Sequence, residues 1–293
     1  MASDFEAQVR ATNDKINARS GRPLLTAILV ELVLGGSLLV SLLVVKELYM
    51  VFAAVLIGFV TFEFASALRY AGRDVPRFAA IVAGLAVIPA AFYWGAAGHW
   101  LVTLAGVAFV SLWRIIELLR PSHRATGMAL LKDLGAGALI QAYVAFLAGF
   151  TVLMTAQDGG QWWTLAFLIV VVSVDTGAYA AGVAFGRHKI APVISPGKTW
   201  EGFAGSVAAA LLAGILLAIF MLQQPWWVGV ILAVAMVVTA TAGDFAESLI
   251  KRDLGIKDIS TWLPGHGGFL DRLDSSLLSG AVAWALFLIF TSP

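Results

Sequence analysis

The residues best suited to chemistry lie near the C-terminal end of the chain, on one helical face. Counted from Asp244, they follow at offsets of 3, 4, 7 and 8 residues, which places their side chains on the same side of an α-helix. The set is Asp244, Glu247, Ser248, Lys251 and Arg252. A carboxylate inside an apolar segment needs a cation or a basic partner. Asp244 is therefore either a ligand-binding group or a structural partner of Lys251, Arg252 or a neighbouring helix.

A second polar segment, PGHGGFLDRLD at residues 264–274, comes just before the last apolar stretch. Gly267 and Gly268 allow a backbone to approach a ligand closely, and a helix N-terminus favours anions. Two carboxylates from different helices, Asp244 and Asp271, suit Mg²⁺, and the Lys and Arg residues around them suit phosphates. This combination predicts phosphoryl or nucleotidyl transfer, in which catalysis is mostly positioning and charge neutralisation.

A third polar segment is the loop at residues 186–202, which contains SPGKT. Ser195 followed by Pro196 is a typical helix start, so a helix is expected to begin there with Lys198 in its first turn. The GKT sequence does not make a phosphate-binding P-loop, because the first glycine of that motif and the preceding strand are both missing. Lys198 is then either a cation at an anion site or only a marker of the membrane border.

The elements that position these groups are predicted to be membrane helices. The chain has 293 residues, is 60% hydrophobic and 13% charged, and has a mean hydropathy of +0.89, whereas soluble domains carry about 25% charged residues. Apolar segments of ~20 residues can cross a bilayer. They fall near residues 24–45, 48–68, 76–95, 99–118, 133–155, 162–184, 203–222, 226–250 and 275–291. The expected fold is an all-α, polytopic integral membrane protein with about nine transmembrane helices.

The basic residues predict an orientation. Of the 19 Lys and Arg residues, all except Lys46 lie in the N-terminal tail or around the even-numbered loops, and cytoplasmic loops hold the excess of positive charge. The N-terminus is therefore expected in the cytoplasm and the C-terminus outside, in a bacterial-type inner (cell) membrane with the site facing the cytoplasm. The chain has no Cys, which excludes disulfides, thiolate metal sites and a cysteine nucleophile.

The chain is expected to form one membrane domain with three regions. Residues 1–22 form a cytoplasmic, amphipathic or loosely solvated segment, and residues 23–160 form the first five spans. Residues 161–293 form a catalytic transmembrane region with cytoplasmic loops at 186–202 and 251–274. All the polar groups of that last region open on the same side, so they can share one site.

Three more acidic residues lie at membrane depth, where an ionisable group is costly. Asp175, in the segment VSVDTGAYAAG, is placed near the cytoplasmic end with the other site residues. Glu31 and Glu63 are expected to be structural. For Glu63 the predicted environment is a buried hydrogen-bonded position or an interfacial pair with Arg69.

Residues 248–274, SLIKRDLGIKDISTWLPGHGGFLDRLD, resemble the signature of phosphatidate cytidylyltransferases, also called CDP-diacylglycerol synthases. The matching positions are Ser248, Lys251, Arg252, Lys257, Asp258, Ser260, Pro264, His266, Gly267, Gly268, Asp271, Arg272 and Asp274. The segments DTGAY at 175–179 and SPGKTWEG at 195–202 also resemble the family, in the same order. The resemblance covers residues 170–290, and the N-terminal half shares only its hydropathy.

The resemblance implies that CTP and phosphatidate react to give CDP-diacylglycerol and pyrophosphate, with Mg²⁺ and, as a further expectation, a second, monovalent cation such as K⁺. Asp244 and Asp271 would hold the metal. The residues assigned to catalysis are Asp244, Asp271, Lys198, Lys251 and Arg252. The residues assigned to substrate binding are Ser195, Thr199, Ser248, Lys257, His266, Gly267, Gly268, Arg272 and Asp175. No nucleic-acid partner is expected, and a homodimer is a further expectation.

Two other functions remain open at the level of sequence. A CTP-dependent polyprenol or lipid kinase would use similar carboxylates but would transfer the γ-phosphate. An ion-coupled transporter would explain Asp175 and Asp244 as intramembrane carboxylates, but it predicts inverted repeats, and none is evident in the sequence.

Overall fold

The computed structural model describes residues 24–192, 195–260, 262 and 267–291. The predicted N-terminal segment 1–22, the side chain of Glu31 and the predicted substrate-binding residue His266 therefore lie outside the described residues.

The described chain is a bundle of long helices. They are α1 (Leu24–Leu43), α2 (Lys46–Tyr70), α3 (Arg77–Glu117), α4 (Gly127–Ala156), α5 (Gly160–Phe185), α6 (Trp200–Phe220), α7 (Trp226–Asp253) and α8 (Leu270–Thr291). Two short strands, β1 (Lys189–Ala191) and β2 (Ser195–Thr199), lie between α5 and α6. Within the described part, seven helices, α2 to α8, are long and apolar enough to cross a membrane. The helical, multi-span fold class is thus confirmed, with a small β-hairpin added to it.

Helix α3 accounts for two of the predicted spans, because its chain reverses direction at Gly95. The backbone there leaves the helical region, with φ 63° and ψ −154°, a conformation that glycine adopts without steric cost. A Cβ placed on Gly106 would lie 3.2 Å from the Cβ of Ala83, so the two arms pack side by side. The nine predicted segments all coincide with helices of the described chain, while the number of crossings and their orientation stay predictions.

The helix predicted to begin at Ser195 begins later, at Trp200. Residues Ser195–Thr199 are extended and pair antiparallel with Lys189–Ala191. Thr199 is the N-cap of α6, since its hydroxyl oxygen accepts a hydrogen bond of 3.1 Å from the Gly202 N–H. The predicted start was wrong because Thr199, and not Ser195, provides the side-chain oxygen that accepts from a free N–H group in the first turn of the helix. Lys198 therefore extends from a strand at the mouth of the bundle.

Two apolar cores hold the helices together. The first joins α2, α3 and α4, and Ile259, Leu270 and Leu277 from the C-terminal region also pack in it. The second joins α5, α6, α7 and α8. The start of α8 is therefore fixed by residues of the N-terminal half. The division of the chain into functional regions at residue 160 stays a prediction.

A network of ion pairs joins the helix ends beside the first core. The buried Arg114 guanidinium lies 2.8 Å from Asp133, and Asp74 accepts hydrogen bonds from Arg69 at 2.7 Å and His123 at 2.6 Å. Burial alone would raise the pKa of Asp74. The hydrogen bond with His123 and the charges of Arg114 and Arg69 outweigh it, so this pKa lies below its usual value. The network ties the α2–α3 loop to α4.

Candidate active site

Asp244 lies where α7 packs against the start of α8. The close contact depends on Gly243, because a Cβ there would overlap the carbonyl oxygen of Asp274. Asp244 accepts hydrogen bonds from Lys198 Nζ and, at 2.6 Å, from Ser275 Oγ. Of the structural partners considered for Asp244, the neighbouring helix α8 contributes Ser275, whereas Lys251 pairs with Glu247 and Asp271. The cation beside Asp244 is Lys198 from β2, which lies 46 residues away in sequence.

Two further carboxylates surround Asp244. Asp274 accepts hydrogen bonds from the N–H of Ser275 at 2.7 Å and from its hydroxyl at 3.3 Å. Asp175, on α5, interacts electrostatically with Asp244 and Asp274 and with the cationic side chains of Lys198 and Arg272. The structure therefore brings Asp175, Lys198, Asp244 and Arg272 together as predicted. It adds Asp274 and Ser275, to which the sequence analysis assigned no role.

A cavity of about 180 Å³ lies against this group. Its polar wall includes Asp175, Lys198, Thr199, Ser206, Thr241 and Asp244. Small-molecule pockets usually measure about 300–1,000 Å³, so this cavity is of a size for phosphate groups rather than for a whole nucleotide. Hydroxyl and ammonium groups donate hydrogen bonds to phosphate oxygens, and the carboxylates can hold a cation beside them.

A second cluster lies on the next turn of α7. Lys251 Nζ lies 2.9 Å from Asp271 Oδ1 and 2.5 Å from Glu247 Oε2. The other oxygen of Asp271 accepts hydrogen bonds from the N–H groups of Gly268 at 2.6 Å and Ile259 at 3.2 Å. Asp271 therefore ties Ile259 and Gly268 to the start of α8. The Gly268 N–H, expected to face an anion, is directed at this carboxylate.

The remaining predicted site residues lie at the surface around the two clusters. Arg252, Lys257 and Arg272 are exposed, and Ser195 and Ser248 are partly exposed. Gly267 has a φ of 82°, a conformation that favours glycine. The basic residues can reach a ligand from the water side, while the carboxylates lie deeper.

Glu63, from α2, reaches this region from the N-terminal half of the chain. Its side chain is 2% exposed, and it accepts hydrogen bonds from Ser260 Oγ and, at 3.1 Å, from the Leu270 N–H. A Cβ on Gly268 would lie 2.9 Å from Glu63 Oε2. The prediction of a buried, hydrogen-bonded carboxylate is confirmed. The alternative pairing with Arg69 was wrong, because Arg69 bonds to Asp74 in its own loop.

Tyr143 is another site neighbour that the sequence analysis missed. It lies in a π-helical turn, Gln141–Phe146, of α4, and such turns frequently occur at functional sites. Its hydroxyl is buried and has no hydrogen-bond partner among the described residues. It interacts electrostatically with Asp274, Glu247 and Asp244. Its distance in sequence from these carboxylates explains why no local pattern marked it.

The donor set fits a hard divalent cation such as Mg²⁺. The candidate ligands are carboxylate and hydroxyl oxygens, which Mg²⁺ prefers, and Glu247 Oε1 is buried without a hydrogen-bond partner in the described part of the chain. Asp244 and Asp274 share the Ser275 hydroxyl, whereas both oxygens of Asp271 already bond to Lys251 and to backbone N–H groups. Asp274 is thus a carboxylate that shares a hydrogen-bond donor with Asp244. The assignment of Asp271 to a metal stays a prediction.

We expect Gly243→Ala to disturb the site through packing alone. The added methyl group would overlap the Asp274 backbone and force α7 and α8 apart, at a cost of about 1–3 kcal/mol for overpacking. Thermal unfolding in detergent and enzymatic turnover should both decline. Gly135→Ala is the matched control, because a Cβ there meets nothing within 4 Å. Wild-type stability and turnover in Gly243→Ala would contradict the close contact.

Comparison with known proteins identifies the family of the chain. The Cytidylyltransferase family matches residues 25–290. The chain is 36% identical over 278 residues to the phosphatidate cytidylyltransferase of Mycobacterium bovis, covering 93% of this chain and 90% of the relative. It is also 36% identical over 283 residues to that of Mycobacterium leprae, covering 94% and 91%. A Brucella suis phosphatidate cytidylyltransferase is 40% identical over 153 residues, covering 50% and 57%. The chain belongs to the cytidylyltransferase family.

Proposed function

We infer that this protein is a phosphatidate cytidylyltransferase, which converts CTP and phosphatidate into CDP-diacylglycerol and pyrophosphate. The observation that carries this conclusion is a pair of ammonium–carboxylate contacts: Lys198 of β2 with Asp244 of α7, and Lys251 of α7 with Asp271 of α8. Three of these four residues, Lys198, Lys251 and Asp271, lie in segments that resemble the family signature. The two contacts combine phosphate-binding cations with carboxylates at one end of a helical membrane bundle, where a lipid and a nucleotide can meet.

The reaction is a substitution at phosphorus. An oxygen of the phosphatidate phosphate attacks the α-phosphorus of CTP, and the bond from that phosphorus to the oxygen bridging it to the β-phosphate breaks. Pyrophosphate leaves with the bonding electrons. The attacking oxygen is already ionised near neutral pH, so no general base is required. The protein must hold the two phosphates in line and offset their repulsion.

The basic residues are placed for that task. Lys198 lies on the cavity wall, and its contact with Asp244 keeps its ammonium group oriented before substrate arrives. Arg272 and Arg252 are exposed beside the two clusters and can approach the nucleotide phosphates. Ser275 holds Asp244 in place through its hydroxyl. Positioned cations of this kind stabilise charge as it moves onto the leaving group.

A bound Mg²⁺ belongs to this proposal, held by Asp244 and Asp271 as the sequence predicts, with Asp274 beside Asp244. When bound, it would supply neutralisation of the pyrophosphate charge. A second, monovalent cation such as K⁺ is part of the same proposal. We also propose that the site faces the cytoplasm from a bacterial-type inner membrane, where CTP arrives from water and phosphatidate from the bilayer, and that the chain forms a homodimer.

The decisive test is product analysis. The purified protein is incubated with CTP, Mg²⁺ and phosphatidate in detergent micelles, and both the nucleotide and the lipid products are separated. Pyrophosphate and CDP-diacylglycerol in equal amounts are expected, with neither formed when phosphatidate is omitted. CDP without pyrophosphate would instead indicate the lipid kinase. Solute uptake into liposomes without consumption of CTP would indicate the transporter.

A further inference from the structure

A groove between α2 and the first arm of α3 lies outside the catalytic clusters. Its apolar part, of about 780 Å³, is here named the apolar groove. Its walls include Val51, Val55, Gly58 and Phe62 from α2, and Leu85 and Pro89 from α3. Gly58 adds no side chain, which leaves a hollow opposite Leu85. From Val51 to Phe62 the helix rises ~16 Å, about half of a ~30 Å hydrocarbon core. The apolar groove therefore has the depth of one leaflet of acyl chains.

Next to the apolar groove lies a basic pocket of about 500 Å³, here named the basic mouth. Phe62 lines both spaces. The basic mouth contains Arg69, Arg77 and Arg120, together with Glu117. Arg69 is paired with Asp74, so the excess of positive charge over Glu117 comes from Arg77 and Arg120. The Arg77 guanidinium lies 5.5 Å from the centre of the Phe62 ring, which places a cation directly above the apolar wall. Basic residues at a membrane border attract anionic lipids.

Glu117 gives the basic mouth an acceptor as well as cations. Its Oε1 accepts a hydrogen bond of 3.1 Å from Trp113 Nε1, while its Oε2 is buried without a hydrogen-bond partner among the described residues. A buried acceptor without a donor is unfavourable. A headgroup that combines a phosphate with a hydroxyl donor would complement both the arginines and this oxygen.

We propose that the apolar groove and the basic mouth together bind an anionic phospholipid of the surrounding bilayer, with a glycerol-type headgroup. One acyl chain lies in the apolar groove, the phosphate contacts Arg77 and Arg120, and a headgroup hydroxyl donates to Glu117. This lipid is not the one that reacts. None of the residues lining the groove or the mouth also lines the cavity beside Asp244.

The site is nevertheless connected to the active-site loop through Trp262, which lines the apolar groove. Its ring stacks on Phe62 with centroids 5.3 Å apart and meets Phe59 edge-on at 6.1 Å. The backbone N–H of Trp262 donates a 3.2 Å hydrogen bond to the hydroxyl oxygen of Ser260. The same hydroxyl donates a hydrogen bond to Glu63. A lipid in the groove therefore packs against Trp262 and favours the observed positions of Trp262 and Ser260.

The test measures lipid retention by native mass spectrometry after extraction from nanodiscs that contain phosphatidylglycerol and phosphatidylcholine. The wild-type protein should retain phosphatidylglycerol in preference. The double variant Arg77→Gln/Arg120→Gln should lose this preference, by about fivefold for each arginine removed. Gly58→Leu, which fills the groove but leaves the charges, should lose it as well. The matched control is Arg73→Gln/Arg124→Gln, which removes the same charge near the same helix ends but outside the mouth.

Three results would overturn the proposal. Equal retention of the two lipids by the wild-type protein would mean that the groove holds only non-specific boundary lipid. Unchanged preference in both test variants would place the lipid elsewhere. Displacement of phosphatidylglycerol by phosphatidate, together with a raised KM for phosphatidate in Gly58→Leu, would make the groove part of the substrate site. Product analysis of the wild-type protein does not depend on any of these results, so the proposed function is judged separately.

Discussion

Asp244→Asn should reduce turnover by at least about 10²–10³-fold, the loss typical of removing one preorganised electrostatic group from an active site. The substitution keeps the shape of the side chain and an oxygen that can accept from the Ser275 hydroxyl. It removes the charge that orients Lys198 and that would hold a divalent cation. The effect should appear in kcat with phosphatidate and CTP both saturating, since the lost interaction serves the cytidylyl group while it is transferred.

The control for this variant is Asp253→Asn, at the exposed end of the same helix. It removes an equal charge and should keep wild-type turnover. Thermal unfolding in detergent shows whether either variant is misfolded. Full activity in a folded Asp244→Asn protein would refute the role of this carboxylate. The double variant Lys198→Met/Asp244→Asn is expected to be little worse than the poorer single variant, because residues that act as a unit have non-additive effects.

The sequence identified most of the groups that meet in the site but not how they pair. Asp175 and Asp244 were recognisable as carboxylates within apolar segments, and Lys198 as a cation in a polar loop that opens on the same side. Their contacts depend on the β-hairpin before α6 and on the close approach of α7 and α8 at Gly243. Neither feature produces a periodic pattern of apolar and polar residues in the sequence. A helix start at Ser195 was therefore predicted where the chain forms a strand.

The number of apolar segments was more predictable than their boundaries. Hydropathy separates the two arms of α3 correctly, because the chain must reverse somewhere near residues 95–99. It does not show that the reversal takes a single glycine, Gly95. It also gives no role to the N-terminal half. That role is visible only in three dimensions, where Glu63 contacts Ser260, 197 residues away, and Tyr143 interacts electrostatically with Asp274, Glu247 and Asp244.

Glu63→Ala should lower both stability and turnover. It leaves the Ser260 hydroxyl and the Leu270 N–H without their acceptor, and each unsatisfied buried group costs about 1–3 kcal/mol. The loop and the first turn of α8, which carries Asp271, should then shift. A misplacement of about 1 Å in an active site can cost ~10²-fold in rate. Turnover and thermal unfolding are measured together, with Glu47→Ala, exposed at the start of the same helix, as the control.

Glu63→Gln separates positioning from direct chemistry. The amide oxygen can still accept from the Leu270 N–H, and the amide nitrogen can donate to the Ser260 oxygen, so both contacts survive without the charge. If Glu63 only positions the loop, this variant should recover most of the turnover and stability that Glu63→Ala loses. If it were as inactive as Glu63→Ala while remaining as stable as the wild-type protein, the charge itself would be required. The carboxylate of α2 would then act on the substrates or on a bound cation, and the catalytic site would include the N-terminal half of the chain.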